Sequence, residues 1–89
     1  MPQVEVPSRY RVPTKGESSI DVKGRTVREC IDAVEARYPG FRELIVDGKG
    51  EVQRFVRLFV NGEQLARDGL ETAVSEDARI AILVAPAGG

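Results

Sequence analysis

The chain has 89 residues, of which 42% are hydrophobic and 30% charged, with a formal net charge of -1. That composition fits one small domain with a marginal core and argues against a disordered or fibrous chain. There is no His, no Trp and a single Cys. The usual general base and the commonest metal ligand are therefore missing, and no intrachain disulfide or multi-thiolate cluster can form. The near-neutral charge also lacks the basic footprint of a nucleic-acid binder. We expect no catalytic residues, no metal site and no bound cofactor.

The N-terminal stretch MPQVEVPSRYR has neither the charged n-region nor the apolar h-region of a leader. No apolar run approaches the roughly 18 residues that span a bilayer. Together with the lone Cys30 this predicts a cytoplasmic chain with no membrane partner, monomeric when free.

Val4 and Val6 alternate with Gln3 and Glu5, the period of a strand with one buried face. Pro2, Pro7 and Pro13 limit its pairing. A turn at Lys15-Gly16 leads to a second alternation, with Ile20 and Val22 inward, so the two strands read as a hairpin. Thr26-Val-Arg-Glu29 is a capping box that opens a helix. Val27, Cys30, Ile31, Val34 and Tyr38 form its apolar stripe, while Asp32 and Glu35 read as solvated. Pro39-Gly40 stops it. Phe41, Leu44 and Ile45 suggest a short helical turn over the end of the core, followed by a flexible Asp47–Gly50 loop.

Residues 54–60 (RFVRLFV) form the strongest strand signal, and Asn61-Gly62 is a two-residue hairpin turn. A short strand over 63–67 should return. Residues 69–74 read as a loop with one helical turn. The nearly continuous apolar run 79–85 (RIAILVA) is the kind of strand found inside a sheet. The order strand, strand, helix, strand, strand, strand predicts an α+β domain over residues 1–85. It is a mixed sheet crossed by one main helix, the β-grasp or ubiquitin-like arrangement.

Residues 86–89 (Pro-Ala-Gly-Gly) read as an extended, flexible tail. Pro86 biases the chain away from the body. Gly88 and Gly89, lacking Cβ, fit a channel too narrow for any side chain. Pro86, Ala87 and Gly88 would thread the tail into a partner, and Gly89 would present its carboxylate. Once adenylated by a partner, that carbonyl accepts a sulfur or nitrogen nucleophile with no help from this chain.

The strand–strand–helix order, the segment RFVRLFVNGEQL at 54–65 and the terminal Gly88-Gly89 together resemble the MoaD/ThiS family of sulfur-carrier proteins, most of all CysO-type carriers. The resemblance covers essentially the whole chain. It implies that an E1-like enzyme, using ATP, adenylates Gly89 for conversion to a thiocarboxylate. The sulfur then passes to a biosynthetic enzyme making cysteine or another sulfur-containing metabolite. The alternatives are a ubiquitin-like modifier that forms isopeptide bonds, a MoaD-like small subunit of molybdopterin synthase, and a non-covalent binding module.

Alternation along residues 54–60 puts Val56, Leu58 and Val60 on one face and Phe55, Arg57 and Phe59 on the other. A charge between two aromatics is a poor core pattern. We therefore expect Phe55, Arg57, Phe59, Ala81 and Leu83 to form a partner-binding patch on the helix-free face of the sheet. Cys30, on the helix stripe with no activating base, reads as core.

Overall fold

Short runs of β-branched residues alternating with polar ones form strands that each bury one face. In the computed structural model, which describes residues 1–85, these are β1 (Gln3–Glu5), β2 (Ser19–Asp21), β3 (Val56–Val60), β4 (Glu63–Gln64) and β5 (Arg79–Val84). Two helices, α1 (Val27–Arg37) and α2 (Arg42–Ile45), lie between β2 and β3. The tail residues Pro86, Ala87, Gly88 and Gly89 lie outside the described residues. The sheet order is β2-β1-β5-β3-β4. β5 pairs parallel to β1 and antiparallel to β3, and the two hairpins are antiparallel. The last strand thus occupies the centre, as its apolar continuity requires, and the mixed β-grasp sheet is as expected.

The connection from β1 to β2 is more than a hairpin turn. A 3-10 turn over Ser8–Tyr10 buries the Tyr10 ring. Thr14 is fully buried, its hydroxyl 3.3 Å from the Arg11 carbonyl and 3.0 Å from that of Glu17. Lys15 and Gly16 then close the turn at φ 56° and 87°. Tyr10 escaped the alternation pattern because a 3-10 turn follows neither strand nor helix period.

At the start of α1 the Thr26 hydroxyl accepts the Glu29 N–H at 3.1 Å. The Glu29 carboxylate accepts from Arg25 N–H at 2.9 Å, one residue earlier than the standard box. Two further unpaired amides of the first turn, on Val27 and Arg28, donate to the carbonyls of Thr72 and Leu70. That task fixes residues 69–74 as an irregular segment, and the helical turn expected there is not formed among the described residues. Gly24 sits so close to the helix that a Cβ would lie 2.8 Å from Cys30 Sγ and 2.9 Å from Cys30 N. Gly24→Ala should therefore cost about 1–3 kcal/mol in chemical denaturation; an unchanged midpoint would refute this contact.

Val27, Cys30, Ile31 and Val34 of α1 pack on the sheet face made by Val4, Ile20, Val56, Leu58, Ile80 and Ile82. Phe41 and Ile45, both fully buried, close the end of that core. Asp32 and Glu35 are not merely solvated. The Glu35 carboxylate accepts from Gly40 and Arg42 N–H at 3.1 and 2.7 Å, and Asp32 pairs with both Arg28 and Arg42 at 2.9 Å. Side chains of α1 thereby anchor the turn into α2.

The Asp47–Gly50 loop is likewise tied down. The Asp47 carboxylate accepts from Lys49 and Glu51 N–H at 2.8 and 3.0 Å and pairs with Arg67 at 3.3 Å. The Glu51 amide above all, then that of Lys49 and the nearby cations, hold its carboxyl below the ordinary 3.8. A depressed folded pKa stabilises the fold above the unfolded value, and that contribution disappears as pH falls through the folded one. NMR titration should give Asp47 a midpoint below 3.8; a midpoint above it would contradict this bonding.

Candidate functional site

On the sheet face opposite the helix, register places Glu5 and Phe59 on either side of Ala81, with Leu83 beside Arg57. Phe59, Ala81 and Leu83 line a shallow depression of about 620 Å³ together with Glu5, Asn61, Gly62 and Arg79. Leu83 is 54% exposed although apolar, and Phe59 is half-buried. The Asn61-Gly62 turn at its edge has both residues at positive φ, 51° and 85°, as the two-residue hairpin needs. An ion pair between Arg79 and Glu5, 2.9 Å apart, crosses this face. The parallel β1–β5 pairing creates it, a long-range contact with no local signal in the sequence.

Phe55 departs from the expected patch, and Arg57, opposite Leu83 within it, also bonds its own backbone. The Arg57 guanidinium donates to the carbonyls of Arg54 and Val56 at 2.7 and 3.2 Å, so it braces the turn before β3. Phe55 lies in that turn, closed by Val56 N–H donating to the Gln53 carbonyl at 3.0 Å. It lines a second depression, with Arg9, Tyr10, Leu44, Val84 and Ala85, and not the one containing Phe59. The alternation that put Phe55 beside Phe59 holds only inside a strand, and β3 starts at Val56. The single face read from the sequence is two surfaces.

Both surfaces border the end of β5. Ala85 N–H donates to the Phe55 carbonyl at 2.7 Å, continuing the β3–β5 pairing to the last described residue. Pro86, Ala87, Gly88 and Gly89, the expected threading and transfer residues, lie outside the described residues.

The rest of the described chain offers little chemistry. Cys30 is fully buried, and burial, reinforced by the charge of Glu29, pushes its thiol up from the ordinary value. A protonated thiol closed off from solvent is a packing group. Among the described residues no group of three or more Cys, Asp or Glu side chains is placed to hold a metal ion. No described helix is long and apolar enough to cross a membrane.

The chain matches the ThiS family over residues 4–89. It is 36% identical to the sulfur carrier protein CysO of Mycobacterium tuberculosis, an alignment covering 97% of this chain and 96% of that one. Among solved structures, a chain of the Amycolatopsis orientalis BexX/CysO complex superposes with a TM-score of 0.90 at 37% identity, covering all of both chains. Mycobacterium tuberculosis CysO gives 0.89 at 32% identity, covering 97% of this chain and 100% of that one. The small archaeal modifier protein SAMP1 of Methanosarcina acetivorans gives 0.80 at 23% identity, covering 99% of this chain and 95% of that one, a likeness of fold.

Proposed function

This chain belongs to the ThiS family, and from that premise we propose that it carries sulfur as a thiocarboxylate on Gly89. An E1-like partner joins the Gly89 carboxylate to the AMP moiety of ATP and releases pyrophosphate. A sulfur nucleophile delivered as sulfide then displaces AMP, leaving C(=O)S⁻ in place of C(=O)O⁻. An acceptor enzyme takes the sulfur to make cysteine or another sulfur-containing metabolite. This chain supplies no catalytic group and binds no cofactor; ATP belongs to the activating partner.

The observation that carries this reading is the match to a sulfur carrier along nearly the whole of both chains, with the family match running to Gly89. The architecture agrees with it, since the pairing of β5 runs to Ala85 and holds the base of the tail against the body. Incubation with an E1-like enzyme, ATP and sulfide should raise the intact mass by about 16 Da, the exchange of one oxygen for sulfur. No ATP-dependent gain, or transfer of the tail onto lysines alone, would count against it.

The open face carrying Phe59, Ala81 and Leu83 serves in this reading as a docking surface for the activating enzyme. Half-buried Phe59 can be changed without opening the core. Phe59→Glu should slow adenylation at low enzyme concentration about tenfold or more, the effect of losing one central aromatic anchor. Normal activation of a folded Phe59→Glu chain would remove this face from the interface.

A further inference from the structure

The depression beside Phe55 is separate from the open-face one: the two share no lining residue. It has a volume of about 560 Å³ and is walled by Tyr10, Leu44, Phe55, Val84 and Ala85, with Arg9 at its side. Phe55 is 48% exposed, an aromatic ring the core does not consume. No carboxylate lines the depression. Arg9 is exposed and forms no ion pair among the described residues. An apolar hollow with one uncompensated cation beside it is complementary to an apolar side chain flanked by an acidic group.

Its position limits what can cover it. Four residues beyond Ala85 reach at most about 14 Å when fully extended. An active site that takes the Gly89 carbonyl must bring its own surface within that distance of Ala85, which is one wall of this depression. We propose that the depression docks the activating enzyme through an apolar side chain flanked by a carboxylate on that enzyme. It is a contact additional to the open sheet face. The inference rests on the carrier reading above.

The test is pyrophosphate release by the E1-like enzyme of the same organism, measured against the concentration of the full-length chain. Phe55→Ala and Arg9→Glu should each raise KM at least about tenfold. The Arg9→Glu defect should also change with ionic strength, as a lost charge contact requires. Lys23→Glu, the same change in net charge away from the depression, controls for a general electrostatic effect. Unchanged KM for both Phe55→Ala and Arg9→Glu, or an equal rise for Lys23→Glu, overturns the docking assignment while leaving the carrier reading intact. No pyrophosphate release with the unsubstituted chain overturns both. Circular dichroism of each variant separates a lost contact from a lost fold.

Discussion

Deleting Gly88 and Gly89 should reduce ATP-dependent sulfur loading to background while the domain still folds. The buried cluster that holds the fold lies within residues 4–82. Removal of the last two residues therefore leaves that described cluster whole, and near-native thermal stability is expected. The proposed chemistry, in contrast, has one acceptor atom, the Gly89 carbonyl carbon. Without the two glycines the new terminus is Ala87, shorter by about 7 Å at full extension and bearing a Cβ. Both changes work against entry into a narrow partner channel. A truncated chain that still gains sulfur would refute the tail as the carrier, and one that binds its partner normally but loads nothing would support it.

The second large effect concerns the core. Phe41→Ala should cost about 3–5 kcal/mol, the range for emptying a buried aromatic site. Phe41 is fully buried immediately before α2, in a turn already fixed by Glu35 and Asp32, so the surrounding chain has little freedom to collapse onto the space. Small domains have a total stability of about 5–15 kcal/mol, and a loss of this size should leave much of the chain unfolded at moderate temperature. Urea denaturation followed by circular dichroism measures it. A cost below about 1 kcal/mol would mean that Phe41 is not the plug at this end of the core.

These two positions differ in how openly the sequence announces them. Periodicity was enough for β1, β2, α1, β3 and β5, because each buries one continuous face and its apolar residues recur at that element's own period. Asn61-Gly62 and Lys15-Gly16 were equally plain, since few residue pairs accept positive φ. What periodicity could not reveal were contacts between segments distant in sequence. Leu70 and Thr72 accept the first amides of α1, and Arg79 meets Glu5 only through the parallel pairing of β1 with β5. Tyr10 is buried in a 3-10 turn and Thr14 in the irregular connection after it, and neither follows a simple repeat.

The candidate site divides in the same way. Phe59, Ala81 and Leu83 share one face as the alternation predicts, because all three lie within regular strands. Phe55 lies apart from Phe59 because β3 begins at Val56, so an alternation counted from residue 54 runs two residues into the preceding turn. Arg57 lies opposite Leu83 on that face, and one nitrogen of its exposed guanidinium also donates to the Arg54 and Val56 carbonyls. No alternation rule discriminates between a side chain facing solvent and one folded back along its strand. One expected patch is thus two smaller surfaces beside the base of the tail.

The most direct test of the central claim is fragmentation of the sulfur-loaded chain by tandem mass spectrometry. The added mass of about 16 Da should reside on the C-terminal fragment, at Gly89, and disappear when Gly88 and Gly89 are deleted. Sulfur found instead on Cys30 as a persulfide, an addition of about 32 Da, would contradict it.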